Sequence, residues 1–170
     1  MTAVIDGSGV NTTGIINSGT AQPTTSGTIV TFTGIPAGVK RVTVMLNSIS
    51  MNTINSVYLI QIGSGSLTTS GYTSQTWSAS TPSGVVTTGF SLGTNSSSTT
   101  FTVSGVIVIN LIGSNTWIES GQIGYMNVSS TAWSSAGNSP ALSGALDRIA
   151  LTTVAGTATF TAGSVNVFWE

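Results

Sequence analysis

Two acidic residues are the side chains best suited to chemistry, because the sequence contains no histidine and no cysteine. Glu119 lies in a predicted strand, and Asp147 is followed directly by Arg148. Two carboxyl groups about 5 to 9.5 Å apart can hydrolyse a glycosidic bond. Isolated carboxylates beside cations more often form salt bridges. We therefore favour a structural role for both acids and predict no enzymatic activity.

Other catalytic and metal-binding arrangements also lack their usual side chains. Without histidine and cysteine there is no thiolate nucleophile, no disulfide, no usual zinc ligand set and no imidazole base. The chain has 27 serines, but no histidine can activate one, and nothing beside the single lysine, Lys40, suggests a nucleophile. The sequence predicts no catalytic residue, no cofactor and no metal site.

Charge is scarce, and this limits the classes of partner. Only 4% of the residues are charged and the net charge is −1, whereas about 25% is typical. Three basic residues cannot form the basic stripe that nucleic-acid binding needs, so we exclude nucleic acid. The longest apolar stretch, residues 106–112, is too short to cross a bilayer, so we also exclude membrane insertion. Little self-repulsion favours association with other copies.

Strand patterns recur along the chain, and helix patterns are almost absent. We predict one all-β domain over residues 28–170, an antiparallel β-sandwich of jelly-roll type with about eight strands and no substantial helix. Residues 1–27 are expected to form an extended N-terminal arm. The expected strands are residues 28–33, 39–48, 57–62, 85–92, 101–111, 116–123, 145–153 and 157–168.

Several of these segments allow finer expectations. Val42, Val44 and Leu46 should share one face of their strand. Residues 101–111 are apolar on both faces around 106–109, so this strand should be covered on both sides. Residues 113–115 should form a hairpin turn, and 154–156 another. Residues 64–83 and 127–140 are expected to be polar loops.

Four aromatic residues fall in or near these polar loops: Tyr72, Trp77, Tyr125 and Trp133. Exposed rings of this kind stack on sugars or anchor protein interfaces, so all four are candidates for contact with a glycan or a protein partner. The alternative, which we favour, is that they fold back and cap the ends of the sandwich. Trp117 and Trp169 lie on regular strands and are expected in the core or an interface.

The few charged residues are candidates for a second role. Lys40, Arg41, Glu119, Asp147 and Arg148 are expected to form structural salt bridges, including bridges between subunits. Because charge-poor sheets need protected edges, we expect the chain to assemble with itself, as a homotrimer.

Five stretches resemble segments of tailed-phage structural proteins, in which they often stand at the C-terminal end of tail fibres. They are residues 32–44 (FTGIPAGVKRVTV), 58–65 (YLIQIGSG), 111–117 (LIGSNTW), 142–149 (LSGALDRI) and 162–167 (AGSVNV). The chain is similar in this respect to the C-terminal β domain of phage tail-fibre and head-decoration proteins. The resemblance transfers no specific binding residues.

This resemblance implies a non-catalytic module on the virion surface, made in the bacterial cytoplasm. Because only about 27 residues precede the first expected strand, we expect a capsid decoration (cement) subunit that contacts the major capsid protein or another virion protein. The alternative is the tip of a tail fibre or spike that binds a host receptor or surface glycan. The N-terminal arm is expected to grip a neighbouring copy or the shell.

Overall fold

A computed structural model of the chain describes residues 16–78, 81–95, 99–126 and 132–170. Every regular element in these ranges is a β-strand, and they contain no helix that could span a membrane. The strands are β1 (Asn17–Ser18), β2 (Gln22–Pro23), β3 (Val30–Thr33), β4 (Arg41–Met51), β5 (Ser56–Ser64), β6 (Ser66–Leu67), β7 (Thr73–Ser78), β8 (Thr81–Pro82), β9 (Phe90–Asn95), β10 (Val103–Gly113), β11 (Thr116–Tyr125), β12 (Ala132–Asn138), β13 (Arg148–Thr153) and β14 (Phe160–Trp169). The predicted all-β class is confirmed, although the described residues contain fourteen strands where about eight were expected.

The strands form two antiparallel sheets that enclose one hydrophobic core. The larger sheet has the order β1-β14-β4-β10-β11-β12-β7-β8, and β2 also pairs with β14. The smaller sheet has the order β3-β13-β5, with β6 and β9 both paired to β5. This arrangement is the antiparallel sandwich that the sequence predicts.

The strand order is that of a jelly roll in which three strands occupy the position of one. A jelly roll winds the chain between two sheets, so that strands distant in sequence become neighbours. Here β3, β13, β5 and β9 form one such sheet, and β4, β7 and β8 belong to the other. The meander β10-β11-β12 fills the place between β4 and β7. These three strands make the larger sheet wider than it would be with a single strand in that place.

β4 carries a β-bulge near its C-terminal end. Val42, Val44 and Leu46 point inward and are buried, as their alternation predicts. At Ser48, φ is 51°, and the pairing register of β4 shifts against both β10 and β14. A bulge of this kind adds one residue to a strand and increases its local twist.

Two strands, β7 and β12, lie where the sequence suggested polar loops, so those two expectations were wrong. They pair with each other over residues 73–77 and 134–138. Their sequences, TSQTWS and AWSSAGN, contain no branched aliphatic side chain. Ser74, Thr76 and Ser135 fill most of their inward positions, beside Trp133 near one end of β12. Hydroxyl side chains can therefore face the interior of this sandwich, which hides the strands from a hydrophobicity pattern.

The chain between β13 and β14 is a further correction. Residues 154–156 do turn, with a hydrogen bond from the Gly156 amide to the Thr153 carbonyl. However, β13 belongs to the smaller sheet and β14 to the larger one. The turn therefore carries the chain across the sandwich and does not close a hairpin.

The described part of the expected N-terminal arm lies against its own domain. β1 and β2 pair with β14, and the amides of Gly19 and Thr24 donate to the carbonyls of Val167 and Gly163. Residues 17–24 thus cover one edge of the larger sheet, which would otherwise expose unpaired backbone groups. The rest of the arm, residues 1–15, lies outside the described residues.

Candidate functional site

Four connecting segments meet at one end of the sandwich. They join β3 to β4, β5 to β6, β10 to β11 and β12 to β13. Main-chain hydrogen bonds link these segments to one another or to adjacent strands: Ile35 N donates to Asp147 O at 3.1 Å, and Leu142 N donates to Asn115 O at 3.0 Å. We call this region the charged end, since all charged residues of the described chain except Glu119 lie here: Lys40, Arg41, Asp147, Arg148 and Glu170.

Asp147 holds the charged end together. Its amide donates to the Gly63 carbonyl at 3.0 Å, and its carboxylate accepts from the Gly65 amide at 3.1 Å and from Arg148 Nε at 2.7 Å. The Arg148 hydrogen bond, assisted by the Gly65 amide, holds the pKa of Asp147 below its usual range. One residue therefore fixes the turns after β3 and β5 relative to the start of β13.

The C-terminal residue closes the other side of the same end. The Glu170 carbonyl accepts from the amides of Lys40 and Arg41, and its side chain forms a salt bridge with Arg41. Of the residues expected to form salt bridges, Arg41 pairs with Glu170, a partner that the sequence did not suggest, and Asp147 pairs with Arg148, both within one chain. The Lys40 side chain is exposed.

The predicted turn between β10 and β11 projects from the charged end. Ser114 and Asn115 have φ of 48° and 57°, the pair of positive values that a two-residue type I′ hairpin requires. Ile112, just before the turn, is among the most exposed apolar side chains of the described chain. The sequence does not reveal this region directly, because its parts are far apart along the chain. The clustering of charges beside glycine turns was the available signal.

Glu119 lies apart from the other charged residues, between the two sheets. Only 3% of its surface is exposed, and Ser135 Oγ donates to its Oε1 at 2.6 Å. No described residue forms a hydrogen bond with Oε2. Burial raises the pKa of Glu119 to about 7, and the Ser135 hydrogen bond lowers it less. The carboxyl group is therefore held in a largely apolar interior with one partner.

The two acids considered for glycosidase chemistry are not brought together in a cleft. The Glu119 carboxyl is enclosed within the sandwich, while Asp147 is partly exposed at the charged end and bound to Arg148. A glycosidic bond would have to reach both carboxyl groups at once. This geometry supplies no such path. No group of three or more histidine, cysteine or acidic residues in the described ranges could hold a metal ion.

Two of the four candidate aromatic residues are in the core and cannot contact a partner. Tyr72 is 1% exposed, and its ring packs edge-on against Phe90 with centroids 5.1 Å apart. Its hydroxyl accepts from Ile62 N at 3.1 Å, and the burial raises the pKa of Tyr72 to about 12. Tyr125 is also buried, and its hydroxyl donates to the Thr94 carbonyl.

The other two candidates occupy different positions on the sheet. Trp133 is half-buried and lies directly over Gly93, where a Cβ atom would be 2.6 Å from Trp133 Cγ. It therefore caps the interior between β9 and β12. Trp77 is 41% exposed on the outer side of the larger sheet, opposite Ser134 of β12. Trp77 alone of these four presents a largely open ring.

The outer face of the larger sheet is broad and carries few charges. Strand pairing aligns its outward side chains in rows, one of which runs Asn166, Met45, Val106, Gln122, Ser134, Trp77. A shallow groove of about 590 Å³ lies on this face, lined by residues including Val106, Val108, Ser120, Gln122 and Ser134. We call the whole solvent-facing side of the larger sheet, from β14 to β7, the outer face. Arg41 and Glu170 border it at the charged end.

Comparison with known proteins gives no match: no family model, no curated protein and no solved structure matches this chain.

Proposed function

We propose that this chain is a structural protein of a phage particle, a decoration subunit on the outside of the capsid. The observation that carries the proposal is the convergence of the sequence stretches with phage resemblance. Residues 32–44, 58–65, 111–117 and 142–149 each contribute to the charged end, where Asp147 and Leu142 link them through main-chain hydrogen bonds. Separate stretches that meet in one place are more informative than separate matches along a chain.

The surface chemistry and the strand pairing support a structural role, in which the protein has only to remain folded on the particle. The described surface is rich in hydroxyl groups and poor in charge. Eight of the twelve strand pairings in the described residues join strands that are not consecutive in the sequence. Sheets with many long-range pairings fold slowly. A particle exposed to the environment needs proteins that unfold slowly, and we propose that this module is one of them. A module of this type works by remaining folded and attached.

The charged end is the part of the module that we assign to the particle. Ile16, which follows the undescribed residues 1–15, lies beside Arg41, Phe168 and Glu170 at this end. Ile16 and the exposed Lys40 and Ile112 therefore lie at the same end of the molecule. Attachment here would leave the opposite end directed outward.

The experiment that tests the proposal is deletion of the gene from the phage that encodes the chain. A decoration subunit is dispensable for assembly, so mutant particles should form and adsorb to the host. They should lose infectivity faster on heating, and added purified protein should restore their heat resistance. Particles that form but fail to adsorb would refute decoration and favour the fibre tip.

One observation favours that second candidate, a fibre or spike tip that binds a glycan. Trp77 presents an open ring near a groove in which hydroxyl and amide groups stand beside Val106 and Val108, and such a mixture of an aromatic ring with polar and apolar groups suits a neutral sugar. Trp77→Ala should then abolish glycan binding, whereas Ile118→Ala, an equally exposed position on the same face, should not. No binding of host-surface glycans by the unaltered protein would eliminate this candidate.

A further inference from the structure

The central strand β10 is apolar on both of its faces, but the described chain covers only one of them. Val103, Ile107 and Ile109 point inward and are buried. Val106, on the outer side, is 49% exposed, and Val108 beside it is half-exposed. The sequence predicted a strand covered on both sides. In the structure, no described element lies over its outer side chains.

The exposed apolar side chains extend well beyond β10. The cross-strand register places Met45 and Thr43 of β4 on one side of them, and Gln122 and Ser120 of β11 on the other. Further side chains on the same face are Ile118, Ala136, Phe168 and Trp77. Solvated sheet faces normally carry polar side chains, whereas exposed apolar patches on a sheet often mark interaction surfaces.

We propose that the outer face binds a second copy of this chain, with the two larger sheets packed face to face. The size of the face supports this occupant. Six neighbouring strands, β14, β4, β10, β11, β12 and β7, make it about 29 Å wide, and four rows of side chains make it about 27 Å long. The resulting area, about 800 Å², is what each partner contributes to a stable protein interface.

The charge and the breadth of the face also favour a second copy. The rows between β14 and β7 carry hydroxyl, amide and apolar groups and no charge away from Arg41 and Glu170, so two copies meet without repulsion. A single extended segment such as residues 1–15 would cover only about one row of side chains. The reason is that one extended chain is only about as wide as the spacing between strands, about 5 Å. A second sheet covers all of them.

A face that meets itself closes with two-fold symmetry. The inference therefore favours a dimer over the homotrimer expected from the sequence. It stands on the geometry of the sheet and does not depend on the virion role.

The test is the molar mass of the full chain in solution, measured by light scattering after gel filtration. At about 100 µM, above the micromolar limit expected for an interface of this size, the chain should have twice the 17.1 kDa mass of one copy. Val106→Lys, which places a charge at the centre of the face, should yield monomer with an unchanged circular dichroism spectrum. Val154→Lys is the matched control, because Val154 is similarly exposed in the turn between β13 and β14. It should remain a dimer.

Other outcomes overturn the inference. A monomeric or trimeric unaltered chain would do so, and so would a Val106→Lys variant that is still a dimer. If the full chain is monomeric and dimerises once residues 1–15 are deleted, those residues occupy the face. If the monomer binds a neutral glycan and Val106→Lys removes that binding, the occupant is a sugar.

Discussion

The carboxyl group of Glu119 shows how far the fate of a residue depends on its surroundings. From the sequence, Glu119 was a candidate for a glycosidase carboxyl group or for a salt-bridging residue. In the structure, the alternation of β11 that buries Trp117 and Ile123 also turns Glu119 inward. No local pattern revealed this, because an acidic residue at that position normally indicates the solvent side of a strand.

The burial of Glu119 makes stability depend on pH. Because its pKa rises from 4.5 to about 7 on folding, the unfolded state holds fewer protons than the folded state between these values. The contribution of Glu119 to the free energy of unfolding should therefore be largest below pH 4.5 and fall, by on the order of 3 kcal/mol, as the pH rises to about 7. Glu119→Gln keeps the shape without the titration and should remove this decline. Urea unfolding at several pH values measures it, and a Gln variant with the same decline would contradict the assignment.

The hydroxyl group of Tyr72 replaces a missing strand partner. It accepts from Ile62 N and donates to Ile62 O, next to the point where β9 stops pairing with β5. Tyr72→Phe should lower the free energy of unfolding by roughly 1–3 kcal/mol, because the Ile62 amide stays buried without a partner. The ring contact with Phe90 is retained in this variant. A loss below about 0.5 kcal/mol in urea unfolding would show that the hydroxyl is dispensable.

At the scale of elements, the bulge between β4 and β14 depends on one glycine. Gly163 has φ of 93°, and a Cβ atom there would lie 2.5 Å from the carbonyl oxygens of Asn47 and Ser48. These are backbone atoms and cannot move independently. The residue after the bulge, Ser50, is buried with its hydroxyl bonded to Thr161.

Gly163→Ala should therefore be more costly than Gly156→Ala. Gly156 has φ of 67° and no atom within 4 Å of the added Cβ, so its variant carries only the backbone cost of about 1–2 kcal/mol. At Gly163 the same backbone cost and the clash act together, and the bulge must shift. Equal losses in the two variants, measured by urea unfolding, would show that the bulge adapts freely.

The strands that the sequence predicted best are those with aliphatic alternation. Residues 39–48, 57–62, 101–111 and 116–123 correspond closely to β4, β5, β10 and β11. β7 and β12 were not predicted because small and polar residues make up most of both strands, and such a composition resembles a loop. Their burial depends on partners distant in sequence. The chain crosses from one sheet to the other between β13 and β14 because the two strands find partners in different sheets. A local turn signal cannot show which sheet a strand joins.

At the scale of the whole molecule, the edges of the larger sheet need no second subunit. β1 and β2 cover β14, and β8 pairs with β7 at the opposite edge. The sequence led us to expect assembly for edge protection. In the structure, the reason to expect assembly is the outer face, where apolar side chains are exposed, and not the edges. Lys40, Arg41, Asp147 and Arg148 lie together at the charged end and Glu119 lies in the interior, and neither placement was predicted from the sequence, because the strands that carry these residues meet only in the folded sheets.

The orientation on the particle can be tested with Lys40, the single lysine of the chain. If the charged end faces the capsid, an amine-reactive reagent should modify Lys40 in the purified protein and much less in intact particles. Peptide mapping by mass spectrometry separates this site from the terminal amine. Equal modification in both samples would place the charged end outward.

The number of copies per particle tests the central proposal most directly. Quantitative mass spectrometry of purified particles gives this number relative to the major capsid protein. A decoration subunit follows the symmetry of the shell, so we expect on the order of hundreds of copies. A few dozen copies or fewer would contradict decoration, because such a count belongs to a tail or a vertex.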